Sequence, residues 1–229
     1  MNKFKITIFL FLIITIFSIS KVYAHINNYN LLGKTIYIDP GHGGRDSGAV
    51  YKNILEKDIN LIISKKIEKE LIAKGANVYL TRETDKDLST TTQNKKRSDL
   101  TNRAKLINDS NADIYISIHL NYINNSTWKG LQIFYTNKNK ENKNIANNIT
   151  SYLKEKTSNI REPKEENSYY MYKQITKPGV LIELGFLSNP FDRYRLTTEN
   201  YQDKLAINIS NAIENYLLNK WLNKKVFFN

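Results

Sequence analysis

Short apolar runs at residues 34–39, 76–81, 113–119, 131–135 and 179–184 alternate along the chain with stretches of helical periodicity. That alternation is what a mostly parallel sheet covered by helices requires, because parallel neighbours must be joined by crossovers. We therefore expect an α/β fold: a single domain with a mixed, mostly parallel central sheet of about five or six strands flanked by helices. Leu55, Ile59, Ile62, Ile63, Ile67 and Leu71 fall at helical spacing, as do Leu100, Ala104 and Ile107, and a last helix is expected near 199–221. Polar stretches at 85–96 and 157–168 read as surface segments. The 229 residues suffice for one sizeable core but are short for two catalytic domains.

The N-terminus has a separate logic. Residues 1–5 are basic, 6–19 are almost wholly apolar, and Val22-Tyr23-Ala24 resembles a signal-peptidase site. The apolar run is shorter than the roughly 20 residues that span a bilayer, which favours cleavage after Ala24 over a retained anchor. The expected organisation is an export signal at 1–24, a lead-in at 25–33, a catalytic domain at 34–221 and a tail at 222–229. No internal repeat and no appended wall-binding module is visible. Cysteine is absent, which excludes thiolate nucleophiles, cysteine metal cages and disulfide staples together. The net charge of +12, from 34 basic and 22 acidic residues, would attract polyanions, but export argues against nucleic acid. The lysines are scattered among many Asn and Ile, so coding bias accounts for the charge as well as a partner does.

Three histidines narrow the search for chemistry: His25, His42 and His119. His25 lies at the cleavage point. His42, in IYIDPGHGGRDSGAV, and His119, in ADIYISIHLN, each close a strand-like run. Open α/β sheets bind ligands beyond the carboxyl ends of their strands, so these two can converge. Two imidazoles without thiols suggest a metal site completed by a carboxylate, as in hydrolytic zinc centres of two His and one Glu. Glu56, in LEKDINLIIS, opens the helix after the glycine loop and can reach that space. Glu183 interrupts the apolar run GVLIELGF, where an unpartnered carboxylate is costly; a general base beside a metal explains it. The expected centre is one zinc ion on His42, Glu56 and His119, with Glu183 as base and Asp39 holding the His42 imidazole from behind.

Each residue also has a plainer reading. Gly41, Gly43 and Gly44 can form only a tight turn, Glu56 can serve the positive helix end, and His119 can be a satisfied core histidine. Glu183 can be a buried ion-pair member with Arg103, and Trp128 and Tyr135 can be packing residues rather than a glycan groove. Two His and one carboxylate also make the non-haem iron triad, though that site needs no additional Glu base.

The chain resembles the zinc N-acetylmuramoyl-L-alanine amidases of the type-3 amidase family. IDPGHGG, LEKD, TRETD, NRAKLIN, SIHLN and VLIELGFLSNP carry the likeness from Lys34 to Leu218, in the family's order and spacing. The resemblance implies zinc on His42, Glu56 and His119, catalysis by Glu183, and peptidoglycan as substrate. Asp39, Arg103 and Asn121 are supporting or substrate-side candidates. TRETDKDL and WKGLQIFY followed by ENK most resemble the germination-specific branch, implying cleavage of peptide stems in spore cortex before muramic-δ-lactam forms. The insertion at 89–96 departs from that pattern. Targeting is left to membrane association through the N-terminal segment, an extracytoplasmic accessory protein, or direct substrate contact. The alternative is a non-catalytic peptidoglycan-binding module of the same fold, which would lack a ligand or the base.

Overall fold

A computed structural model describes residues 11–16 and 29–226; the basic start, the cleavage site and His25 lie outside the described residues. Among the described residues no helix is long and apolar enough to cross a membrane. In chain order the elements are β1 (Thr35–Pro40), β2 (Val50–Tyr51), β3 (Ile54–Leu55), α1 (Glu56–Ala73), β4 (Asn77–Leu80), α2 (Lys95–Asp109), β5 (Ile114–Asn121), β6 (Gln132–Tyr135), α3 (Asn142–Lys156), β7 (Lys164–Glu165), β8 (Gly179–Phe186), α4 (Pro190–Leu196) and α5 (Glu199–Val226). Six strands form one sheet in the order β4-β1-β5-β8-β6-β7, while β2 and β3 make a separate hairpin. β4, β1, β5 and β8 are mutually parallel and β6 runs against β8, so the sheet is mixed and mostly parallel, as the alternation predicts.

Strict alternation along the central strands sorts side chains onto two faces. Ile36, Ile38, Ile114, Ile116, Ile118, Val180, Ile182 and Leu184 all enter one aliphatic core with α1, α3 and α5. Ile59, Ile63, Ile67 and Leu71 supply the α1 stripe, and each such fully buried side chain is worth about 1.5–3 kcal/mol over leaving it in water. The expected stripe was too broad: Ile62 is exposed, and Leu55 belongs to β3. The opposite face is covered by α2 and residues 171–175, through Ala104, Ile107, Met171, Tyr172 and Ile175 against Tyr37, Tyr115 and Leu181.

Strand register arranges this second face in rows. Tyr37 lies beside Tyr115 and Gly179, Asp39 beside Ser117 and Leu181, and His119 beside Glu183 and Gln132. Polarity rises toward the carboxyl ends of the strands. Gly179 is required in the first row, since a Cβ there would sit 2.2 Å from the Tyr115 ring. The chain leaves β1 through α1 to reach β4 on one side, then returns through α2, on the other face, to β5 on β1's other side. That reversal of winding between β1 and β5 is the crevice where open α/β sheets bind ligands.

Two elements are additional to those expected from the sequence, one of them within the polar stretch at 157–168. α3 buries Ile145, Ala146, Ile149 and Leu153 within an Asn- and Lys-rich segment, and β7 adds two exposed residues, Lys164 and Glu165, at the sheet edge. α5 also runs on to Val226, past its expected end.

Candidate metal centre

His42 leaves the end of β1 on a loop with left-handed backbone, φ 62°, a conformation that costs a non-glycine residue roughly 1–2 kcal/mol. Two buried arginines hold it there. Arg82 donates from Nε to the carbonyl of Pro40 and from Nη2 to that of Gly41, both at 2.9 Å. Arg103 donates from Nη1 to Pro40 at 2.8 Å and from Nη2 to His42 at 2.5 Å. The stretch at 85–96 completes the clamp: Asp85 accepts from the Gly44 amide at 2.7 Å and from Lys57 Nζ at 2.6 Å.

His119 stands within β5, which continues to Asn121 with a register irregularity between those residues, a feature that re-aims side chains at functional sites. Gly41 lies beside it, and a Cβ there would fall 2.2 Å from His119 Cε1, so only glycine leaves room for the ring. Glu56 opens α1 as its first residue, and it is buried. Its Oε1 lies 3.2 Å from His42 Nε2 and 3.1 Å from His119 Nδ1, and accepts from the Leu120 amide at 2.9 Å. Oε2 accepts from the Ala49 amide at 2.7 Å. The two imidazoles are 5.0 Å apart between centroids and nearly perpendicular, at 78°. One ligand atom from each of His42, Glu56 and His119 lies within 4.8 Å of the others.

Electrostatics tie the cluster together. Burial alone would raise the pKa of Glu56, but the imidazoles of His119 and His42 outweigh it and hold the carboxyl far below the usual range. Burial would likewise lower His42; the carboxylates of Asp46 and Glu56 reverse this and raise it to about 9. Glu183 is opposite: burial first, and the Glu56 charge second, push it up to about 8. It is 8% exposed, and its Oε2 has no hydrogen-bond partner. A buried carboxyl oxygen left unpaired costs about 1–3 kcal/mol or more, which marks it as a group waiting for a ligand.

Asp39 is a correction to the sequence reading. It does not brace His42: its Oδ1 accepts from Arg103 Nη1 at 2.9 Å and Thr81 Oγ1 at 2.6 Å, and its Oδ2 from Ser117 Oγ at 2.6 Å. The brace on His42 is Asp46, whose Oδ2 lies 3.0 Å from Nδ1, with Lys96 Nζ 3.2 Å beyond. Arg103 pairs with Asp39 and, from Nε, with Asp99 at 2.9 Å rather than with Glu183. Asn121 borders the cavity of about 360 Å³ that opens over His42, Glu56, His119 and Glu183. Tyr169 and Tyr172 line it too, from a segment that carries no sequence signal beyond aromatic composition. Trp128, 42% exposed, lies under the Arg161 guanidinium at 4.5 Å.

Two histidines and a glutamate gathered over the switch point of a mixed α/β sheet could hold a metal ion, and a buried glutamate whose Oε2 is unpaired stands alongside. The chain belongs to the N-acetylmuramoyl-L-alanine amidase family, whose model matches residues 36–215. It is 44% identical over 195 residues to the germination-specific N-acetylmuramoyl-L-alanine amidase of Bacillus subtilis (strain 168), covering 83% of this chain and 82% of that protein. Among solved structures it is similar to the CwlD amidase from Clostridioides difficile, determined in complex with the GerS lipoprotein. That match has a TM-score of 0.75 at 42% identity, over 81% of this chain and 98% of that one. The catalytic domain of CwlV, an N-acetylmuramoyl-L-alanine amidase from Bacillus (Paenibacillus) polymyxa var. colistinus, matches with a TM-score of 0.71 at 30% identity, over 80% of this chain and 98% of that one.

Proposed function

We propose that this chain is a zinc hydrolase that cleaves the amide between the lactyl group of N-acetylmuramic acid and L-alanine in spore cortex peptidoglycan, ahead of muramic-δ-lactam formation. The observation that carries the reading is the donor set: two imidazole nitrogens and one carboxylate oxygen converging within 4.8 Å, beside a buried carboxyl oxygen with no partner. Two nitrogens and one carboxylate suit a catalytic zinc, which keeps a further position open. His42 Nε2, His119 Nδ1 and Glu56 Oε1 would hold it. Bound zinc supplies a Lewis acid, a water whose pKa falls to about 7, and a positive charge that draws Glu183 back toward ionisation.

The chain's own residues do the rest. Glu183 takes the proton of the attacking water as its oxygen bonds to the lactyl carbonyl carbon. The C–N bond then breaks, and Glu183 returns the proton to the departing alanine nitrogen, leaving a carboxylic acid and a free amine. Asp46 holds the outer nitrogen of His42, and Asn121 and Tyr169 stand at the cavity wall where substrate enters. The similarity to a germination-specific amidase supports the cortex role, and the lipoprotein in the CwlD structure supports an accessory protein outside the cytoplasm.

Digestion of defined muropeptides, with products identified by mass, tests the bond cleaved. The expected products are lactyl carboxylates and stems with a free alanine amine; cleavage within the stem or between sugars would overturn the reading. Glu183→Ala should retain zinc and lose about 10²–10⁴-fold in turnover, whereas lost zinc would make Glu183 a ligand instead.

A further inference from the structure

Beneath His119 runs a line of hydrogen-bonding groups that the reaction itself does not use. Asp39 Oδ2 accepts from Ser117 Oγ at 2.6 Å, Ser117 Oγ lies 2.9 Å from Tyr172 Oη, and Tyr172 Oη lies 3.2 Å from His119 Nε2. All of Asp39, Ser117 and Tyr172 are buried, and Arg103 Nη1 lies 2.9 Å from the other oxygen of Asp39. The direction of each hydrogen follows from counting protons. A carboxylate paired with a guanidinium can only accept, so the single hydroxyl proton of Ser117 is committed to Asp39. The contact between Ser117 and Tyr172 then needs its proton from the phenol. Having spent its proton, Tyr172 turns a lone pair toward His119, and only an Nε2–H can satisfy it.

We propose that Tyr172, Ser117 and Asp39 form a positioning relay that fixes His119 as the Nε2–H tautomer, so that its Nδ1 lone pair is presented to the metal. The relay rests on the zinc reading given above. It assigns Asp39 a duty at the histidine on the strand, three groups away, and none at the histidine on the neighbouring loop. It also explains a hydroxyl on Ser117: that side chain touches no ligand, yet it sets which way Tyr172 points its proton. Without Ser117, the phenol is free to donate to Nε2, which favours the tautomer carrying its proton on Nδ1, where the metal would bind.

The test compares Tyr172→Phe, Ser117→Ala and Ser117→Thr with the parent chain, measuring zinc dissociation constants and the ¹⁵N and ¹H resonances of labelled histidine both without zinc, where the tautomer is free to change, and with zinc bound. Tyr172→Phe should weaken zinc about 10-fold and move the His119 Nε2–H resonance toward the free-imidazole position. Ser117→Ala, one group further from the metal, should weaken it as much, the two changes together should cost little more than either, and Ser117→Thr should restore binding. Melting temperatures separate this from simple loosening, which would lower them in step with affinity and leave the tautomer unchanged. Zinc affinities within about twofold of the parent, with an unmoved Nε2–H signal in both variants, overturn the relay while the zinc reading stands. If zinc leaves the ¹⁵N resonances of His42 and His119 unshifted in the parent chain, the zinc reading fails instead.

Discussion

His42 and His119 reach the same oxygen of Glu56 from opposite kinds of support. His42 rides a loop in a left-handed conformation, gripped through backbone carbonyls by Arg82 and Arg103, and its outer nitrogen meets Asp46, which is partly open to solvent. His119 rides the central strand between β1 and β8, and its outer nitrogen meets the buried line from Tyr172 to Asp39. The loop thus holds its histidine by fixing the main chain, while the strand, fixed already by its ladder, spends side chains on the ring alone. Perturbing the loop's arginines should therefore cost fold stability, whereas perturbing the outer partner of either ring should cost metal affinity.

The largest effect belongs where the two supports join. Arg103→Met removes the cation from buried Asp39 and Asp99 and also frees the His42 carbonyl, and it should destabilise the chain by about 3–5 kcal/mol in denaturant unfolding. A loss under about 1 kcal/mol would show that the loop keeps its shape by other means. Gly41→Ala comes next. Its methyl group would fall 2.2 Å from His119 Cε1, so either β1 or the imidazole must shift. We expect about 1–3 kcal/mol of strain and a zinc affinity at least about 10-fold weaker by calorimetry. Unchanged affinity would mean that the strand-borne ring tolerates displacement, against the contrast drawn above. Asp46→Ala should weaken zinc about 10-fold while changing unfolding free energy by less than about 1 kcal/mol, since its partner contacts are part-exposed. A large stability loss there would erase the distinction between loop and strand.

What the sequence made legible follows the same division. Apolar runs announced β1, β5 and β8 because central strands of a parallel sheet must be nearly continuous in Ile, Val and Leu, while β4, at the sheet edge, and β6, antiparallel to β8, showed as shorter apolar and aromatic stretches. β7 escaped because two charged, exposed residues at an edge carry no pattern at all. α3 escaped for a different reason: Ile145, Ala146, Ile149 and Leu153 do fall at helical spacing, but Asn and Lys between them masked a stripe that was there to be read. At the site, His42, Glu56, His119 and Glu183 were legible because histidine is scarce and buried glutamate demands a reason. Their supports were not. Asp39 is near His42 in sequence but not in contact with its ring, because register sends its side chain toward Ser117 instead. Tyr172 comes from a turn far along the chain, and no one-dimensional pattern joins it to a histidine; Asp46 stands four residues after His42 as Asp39 stands three before it, and spacing alone does not say which of the two meets the ring.

The smallest effect is one of pH, and it reads the loop side most directly. In the metal-free chain His42 is raised from 6.5 to about 9 by Asp46 and Glu56, against the opposing pull of burial, and Glu183 from 4.5 to about 8 by burial and then by the Glu56 charge. Both groups bind a proton more tightly folded than unfolded. Their contribution to stability is therefore complete below the unfolded values and is lost as pH rises through about 9 and about 8 respectively. Asp46 and Glu56 are lowered, so theirs is present above the ordinary carboxylate range and is lost only as pH falls. Melting temperatures of the metal-free chain should accordingly peak in mild acid and decline from pH 6.5 toward 9. A zinc ion bound as proposed would displace the His42 proton that faces Glu56, so affinity should rise over the same interval and the loaded chain should melt with little dependence on pH. A metal-free chain whose melting temperature stays level across that interval would mean that the carboxylates do not hold a proton on His42, and that the loop is fixed by its arginines alone.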